Sequence, residues 1–379
     1  MLYRKYRPQK FSDIVGQEHV IKTLLGTLKS GRIGHAYLFA GSRGTGKTSV
    51  ARLFAKALNC FNLKIPFSDS GSNNKTKILD FTPENTPCNE CYNCISANKG
   101  NLLDLIEIDA ASNRGIDEIR NLKESAMVSS SGGGYKVFII DEVHMLTKDA
   151  FNALLKILEE PPSHVIFILA TTEPHKILPT VLSRVQRFDF KRLNHEQIYQ
   201  KLKMMSDKEN IKITDEAIKT IAVSADGALR DAEVALSKVQ TSLLSSKEIT
   251  VDEVNEVLGF ASYKLYPELV GYILKNDRIN ALNLIQKIYM AGTDLENFTG
   301  NLVEYIRNIL MAKINPVVLA SVGGFNKEEL KNISIFSQAF DEQKLIKMIV
   351  SFSTARNEIK YSSIPQLPLE LAIVNLTSL

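Results

Sequence analysis

Three groups of residues in this 379-residue chain have types and spacings suited to chemistry. The run Gly41, Ser42, Arg43, Gly44, Thr45, Gly46, Lys47, Thr48 follows an apolar stretch at 36–40 and opens a helix-forming segment. Glycines at 41, 44 and 46 let a backbone approach phosphate oxygens closely and turn its N–H groups toward them, and the following helix adds its positive end. Lys47 then meets the β- and γ-phosphates of a nucleoside triphosphate and Thr48 holds Mg²⁺. The second group, Asp141 and Glu142, ends the apolar run 137–140. Asp141 suits the Mg²⁺ shell, and Glu142 suits orienting or deprotonating water. The third is Cys88, Cys91 and Cys94, two residues apart in each gap and too tight for sensible disulfides. With Cys60 they complete a tetrahedral Zn²⁺ set; reduced thiols and an iron–sulfur cluster are the competing readings.

The elements that must position these groups follow from hydrophobic pattern. Runs that are apolar on both faces, at 36–40, 137–140 and 165–170, read as buried strands of a parallel sheet, and 102–108 reads as another. Helical patterns over 116–127 and 148–160 alternate with them, the latter stopped by Pro161-Pro162. A parallel sheet covered on both faces is predicted, with both chemical groups at its carboxyl edge. The stretch 129–134 is composed like a flexible connector, and 61–87, polar and aperiodic, like a loop able to bring Cys60 back to the other cysteines. From about residue 195 the β-branched runs stop. Amphipathic segments at 195–209, 214–224 and 228–243 predict a small helical domain, and helical patterns continue from 251 to 376.

Length alone predicts two or three domains. A hydrophobic fraction of 44% and a charged fraction of 23% are ordinary for a globular protein, and a formal charge of +4 is compatible with nucleic acid without establishing it. No run is long enough to span a bilayer and the basic N-terminus lacks a secretory apolar core, so no membrane partner is expected and the cytoplasm is the expected compartment.

The motifs together support a family. Tyr6-Arg7-Pro8 with Phe11, Val15 to His19, His35 to Phe39, the phosphate loop, Asp109 to Ser112, Asp141 to Leu146, Phe151 to Lys156, Leu158 to Pro162 and Leu169 to Thr172 closely resemble the gamma/tau subunits of the bacterial DNA polymerase III clamp loader. The resemblance implies an α/β plus all-α chain. It would comprise an AAA+ P-loop ATPase domain over 1–178 with a zinc-binding insertion at about 60–100, a three-helix lid over 179–243, and a helical collar over 244–379. It implies partners too: delta- and delta-prime-type subunits and further copies of the chain in a pentameric ring, a sliding clamp, and primer-template DNA at replication forks.

Site residues carry over one by one. ATP contacts are implied for Tyr6, Arg7, Pro8, Val15 and Ser49 beside the phosphate loop. Thr172 matches a γ-phosphate sensor, and Arg230 the lid arginine that reports bound phosphate. Arg184 matches an arginine reaching into a neighbouring subunit's ATP; the cysteine that usually follows it is Val185 here. Asn113, Arg114, Gly115, Arg120 and Lys156 fall in segments whose counterparts meet the DNA backbone. The expected activity is DNA-stimulated ATP hydrolysis coupled to clamp loading, with no feature supporting nucleotide polymerisation. A non-hydrolysing ring subunit and a branch-migration type of motor are the alternatives.

Overall fold

The computed structural model describes residues 2–63, 81–243, 248–259, 265–315 and 327–377. The chain divides into two compact units: Met1–Met205 with Ala225–Val234, and Ser206–Ser224 with Ala235–Leu379.

The first unit is built on five strands, β1 (Ala36–Gly41), β2 (Leu105–Asp109), β3 (Lys136–Asp141), β4 (Val165–Thr171) and β5 (Gln186–Phe190). They pair throughout in parallel, in the order β2-β3-β4-β1-β5. Because β4 lies between β1 and β3, the carboxyl ends of these three strands are neighbours, and they carry Gly41, Asp141 and Thr171. The helices of this unit are α1 (Leu2–Lys5), α2 (Glu18–Ser30), α3 (Lys47–Leu58), α4 (Tyr92–Asn98), α5 (Ile116–Met127), α6 (Lys148–Glu159), α7 (Pro179–Leu182), and the first residues of α8 (His195–Lys208) and α10 (Leu229–Ser242). Strand alternation sends Tyr37, Phe39, Ile139 and Ile168 into one core with α2 and α3, and Leu38, Phe138, Ile140, Phe167 and Leu169 into a second with α5 and α6.

Phe138 and Phe167 face each other across β3 and β4 with ring centroids 5.5 Å apart, both fully buried. Truncating Phe167 to Ala should cost about 3–5 kcal/mol in urea unfolding of the full chain. A loss below about 1 kcal/mol would contradict this packing, since even an isolated aromatic pair is worth that much.

Two expectations shift. The first strand after the phosphate-loop helix runs over Leu105–Asp109 rather than 102–108, because a turn from the Leu102 carbonyl to the Leu105 N–H precedes it and leaves Leu103 exposed. The 129–134 stretch is tied down rather than loose: the Ser131 and Gly132 N–H groups donate to the Asp104 carboxylate at 2.9 and 3.1 Å, and the Ser130 hydroxyl donates to the Gly134 carbonyl at 2.7 Å.

The second unit is helical among its described residues. Its helices include α9 (Asp215–Ser224), α11 (Val251–Leu258), α12 (Leu265–Leu274), α13 (Arg278–Met290), α14 (Leu295–Ile314), α15 (Lys327–Ala339), α16 (Glu342–Ile359) and α17 (Leu367–Leu376). Polar caps set their starts: Thr250 and Glu253 form a capping box on α11, and Asp277, Asp294 and Asp341 accept N–H groups from the first turns of α13, α14 and α16. The apolar faces of α12 to α17 bury one continuous core containing Tyr266, Phe298, Leu302, Tyr305 and Phe352. No helix among the described residues is long and apolar enough to cross a membrane.

Candidate active site

β1 ends at Gly41, and the chain re-enters helix at Lys47 after a loop that holds glycine at positive φ at three points, 41, 44 and 46. Gly41 has φ +153°, and a Cβ there would stand 2.5 Å from the Phe190 carbonyl oxygen. Gly46, at φ +97°, has nothing near its missing Cβ, so there the requirement is conformational. No side chain caps α3, which leaves the N–H groups of its first turn for an anion. Gln17, fully buried, braces the loop: its Nε2 donates to the Lys191 carbonyl at 2.7 Å and to the Thr45 carbonyl at 3.5 Å, and its Oε1 accepts from the Lys191 N–H at 3.1 Å.

Lys47 is buried, and its Nζ donates to the carbonyls of Gly41 and Ser42 at 2.8 and 2.9 Å. Burial lowers its pKa, opposed by the nearby Glu142 and Asp141 carboxylates. The Thr48 hydroxyl donates to Asp141 Oδ2 at 2.7 Å, so the two groups expected to share a cation stand together, although 93 residues separate them in sequence. Asp141 Oδ1 accepts the Glu142 N–H at 3.0 Å. Glu142 itself sits at φ +47°, ψ +44°, a left-handed backbone that costs a non-glycine residue roughly 1–2 kcal/mol and gathers at functional sites. Its Oε2 accepts the Thr172 hydroxyl at 2.9 Å and the Thr172 N–H at 3.3 Å.

These groups border a cavity of about 530 Å³, of the size that takes a small organic ligand. Arg7, Pro8, Val15, Arg43, the loop from Gly44 to Ser49, Asp141, Glu142 and Arg230 all line it. Of the N-terminal residues expected there, Tyr6 is not among the lining groups. Tyr3 is, and its ring stacks under the Arg230 guanidinium at 5.4 Å. Glu233, one helical turn beyond Arg230, also faces the cavity, and burial pushes its pKa up to about 7 against the pull of Lys201 and Arg230. Neither Tyr3 nor Glu233 carries a sequence signal. A spacing of three from Arg230 is the only hint for Glu233.

The four cysteines converge. Cys60 follows the end of α3, Cys91 caps α4 and Cys94 lies within it. All four Sγ atoms lie within 4.8 Å of one another, with Cys88 to Cys94 at 3.8 Å and Cys60 to Cys91 at 4.0 Å. A tetrahedron with metal–sulfur bonds of about 2.3 Å has edges of about 3.8 Å, so the donor set fits Zn²⁺. The Glu90 and Cys91 N–H groups both point at Cys88 Sγ, at 3.4 Å. A hydrogen bond from Cys94 holds the Cys60 thiol down at about 5. The loop expected to close Cys60 onto Cys88 lies outside the described residues over 64–80, but both of its ends reach the cluster. Lys56 joins this module to the rest: its buried Nζ donates to the Gln9 carbonyl and to the side-chain oxygens of Gln9, Asn89 and Asn98 at 2.6–3.1 Å, and burial lowers its pKa to about 8.

Comparison with known proteins gives these features a context. Residues 16–194 match the family model described as DNA polymerase III, delta subunit, and residues 249–379 match DNA polymerase III subunits gamma and tau domain III. The DNA polymerase III subunit gamma of Buchnera aphidicola subsp. Schizaphis graminum is 34% identical over 376 residues, which cover 99% of this chain and 97% of that protein. The chain belongs to the DNA polymerase III gamma/tau family. The DNA polymerase III subunit tau of Bacillus subtilis is 39% identical over 376 residues, 99% of this chain but only 62% of the relative's length. Among solved structures, the RuvB Holliday junction branch migration motor of Thermotoga maritima superposes with a TM-score of 0.47 at 17% identity, over 71% of this chain and 79% of that one.

Two sets of residues expected from the sequence resemblance to have functional roles lie away from the cavity. Arg184, beyond α7, does not line it. The Arg184 guanidinium donates to Glu159 Oε1 at 2.9 Å, the Thr180 carbonyl at 2.8 Å and Ser183 Oγ at 3.0 Å, on the surface. Asn113, Arg114 and Gly115 form the turn that leads into α5, where Asn113 Nδ2 donates to the Asp109 carbonyl at 3.0 Å and Arg114 Nε to the Ala111 carbonyl at 2.8 Å. Arg120, paired with Asp117 at 2.9 Å, and Lys156 are exposed on α5 and α6.

Proposed function

We propose that this chain is an ATP-hydrolysing subunit of a replicative clamp loader, whose ATP turnover at subunit interfaces drives loading of a sliding clamp onto primer-template DNA. The observation that carries this reading is the meeting, at one cavity, of the Thr48–Asp141 pair and of Glu142 with one carboxylate oxygen fixed by Thr172. A subunit that only bound nucleotide would have no use for an anchored carboxylate beside the phosphate loop.

The chemistry follows from the residues. The phosphate-loop N–H groups and Lys47 take the phosphates, Lys47 leaving the Gly41 and Ser42 carbonyls to do so. Thr48 and Asp141 hold Mg²⁺, which when bound neutralises phosphate charge. Glu142, anchored through Oε2, presents Oε1 to the attacking water and takes its proton. Arg230 reads bound phosphate from the lid, and Arg184, pointed away from its own cavity, serves a neighbouring chain. Of the expected parts 1–178, 179–243 and 244–379, the last has support from a family match that starts at residue 249, whereas the lid would begin after β5 and not at residue 179, because Gln186–Phe190 pair with β1 in the sheet. Asn113, Arg114, Gly115, Arg120 and Lys156 contact the DNA backbone in this reading, so binding should weaken as salt rises.

The test is ATP turnover by the chain reconstituted with delta- and delta-prime-type subunits, with and without sliding clamp and primed DNA. Stimulation that requires both is expected. Turnover indifferent to both would overturn the clamp-loading assignment.

The cysteine cluster holds a structural Zn²⁺ in this reading, with no open position for chemistry. Purified without chelator, the chain should carry about one zinc, and Cys88→Ser should release it. Less than about half a zinc per chain would sink the idea, because a closed four-thiolate site does not fill partially at micromolar zinc.

A further inference from the structure

His144 lies in the Asp141-Glu142-Val143-His144 stretch yet has no place in the mechanism above. Its side chain is almost fully buried, 6% exposed. Nε2 is 3.0 Å from Glu173 Oε2, and Nδ1 is 3.0 Å from Thr171 Oγ1. Thr171 Oγ1 in turn accepts the Glu173 N–H at 3.0 Å. A carboxylate can only accept, so Nε2 carries the proton toward Glu173, and Nδ1 shares a hydrogen bond with the Thr171 hydroxyl, which can serve as donor or acceptor. The three residues thus close a ring of hydrogen bonds around the turn that holds Thr172. That turn supplies both donors to Glu142 Oε2, and the imidazole edge stands beside the same oxygen, with Nδ1 3.4 Å away. Among the described residues no hydrogen bond is made to Glu142 Oε1.

We propose that His144 is a positioning residue for the hydrolytic step. It locks the Thr171–Glu173 turn through Nδ1 and Nε2, keeps Oε2 of Glu142 on Thr172, and so leaves Oε1 directed to water. The inference rests on Glu142 being the base, and it assigns the Nδ1 contact with Thr171 the larger share, because Thr171 Oγ1 also accepts the Glu173 N–H across Thr172, whereas Glu173 Oε2 has a second partner in Lys176 at 2.8 Å.

Amide side chains separate the two nitrogens. Asn places its amide where Nδ1 was, and Gln places its amide where Nε2 was. In the reconstituted assembly, His144→Gln and His144→Ala should lower kcat about tenfold or more with KM for ATP within about twofold, the pattern of a lost transition-state interaction. His144→Asn should keep kcat within about threefold of the unaltered chain, since it retains the bond to Thr171. Thr171→Val, similar in shape and lacking only the hydroxyl, should lower kcat as His144→Ala does. Combining the two should cost little more than either alone, as for residues acting through one contact. Unchanged kcat in His144→Ala, or a loss in KM alone, overturns the proposal; so does a loss in His144→Asn equal to that in His144→Gln. Melting temperatures of all variants identify any that act by unfolding, and Thr171→Val then decides. If the unaltered assembly hydrolyses no ATP, or Glu142→Gln retains full turnover, the reading of the site fails instead.

Discussion

Glu142→Gln should lower ATP turnover by on the order of a thousandfold while leaving ATP affinity within about twofold. The amide can keep the bond between the Thr172 hydroxyl and its carbonyl oxygen, so the side chain stays where Oε2 is held now, 2.9 Å from that hydroxyl. What it loses is the capacity to take a proton at the other oxygen. The phosphate loop, Lys47 and the Thr48–Asp141 pair are untouched, so ground-state binding persists. Single-turnover hydrolysis together with binding of a fluorescent ATP analogue separates the two quantities. Loss of binding in step with turnover would mean that Glu142 supports the cavity's shape and not the proton transfer. Its left-handed backbone sharpens the comparison, because Gln meets the same conformational penalty as Glu and brings no new strain.

The second large effect belongs to Arg184. Arg184→Ala should leave ATP binding by the isolated chain unchanged and reduce turnover of the assembled ring by about a thousandfold, the scale of an arginine supplied in trans. The guanidinium makes three hydrogen bonds within its own chain, to Glu159, Thr180 and Ser183, all on an exposed surface, and none toward its own cavity. Such bonds at the surface are worth little and exchange readily for a phosphate. Glu159→Ala offers a control: it frees the arginine and should change turnover by no more than about threefold. Full turnover by the Arg184→Ala ring would remove the arginine from the reaction.

How much of this is legible without coordinates depends on how far each residue's partners lie in sequence. β1, β3 and β4 are continuous apolar runs because both of their faces are covered, and their ends carry the motif residues, so sheet and site emerge together. β5 escapes the same reading. Gln186-Arg187-Phe188-Asp189-Phe190 alternates, as an edge strand with one buried face must, and is too short and polar to stand out. The 129–134 stretch reads as slack because serine and glycine carry no apolar signal; what holds it is Asp104, a distant carboxylate acting on backbone N–H groups. Three of the four cysteines announce themselves by spacing. The fourth, Cys60, is proposed from sequence only as the one remaining cysteine, and it is α3 ending beside α4 that brings its sulfur to the others.

The candidate site divides in the same way. The phosphate loop, Asp141 and Glu142 are local motifs. Tyr3, Glu233 and His144 owe their places to neighbours more than twenty residues away or, for Glu233, to burial that the helical pattern does not quantify. Tyr6 illustrates the converse: it belongs to a motif, yet its neighbour three positions earlier is the aromatic ring that reaches Arg230.

The central claim, that hydrolysis occurs at a site shared between chains, is tested most directly by mixing. Glu142→Gln chains and Arg184→Ala chains, each inactive alone, are assembled together into one ring with the partner subunits, and ATP turnover is measured. Where an Arg184→Ala chain is followed by a Glu142→Gln chain, the first supplies an intact base and the second an intact arginine. Turnover should therefore return to a substantial fraction of the unaltered ring's rate. If the mixture stays as inactive as its two components, base and arginine serve the same chain's cavity, and the interface account is wrong.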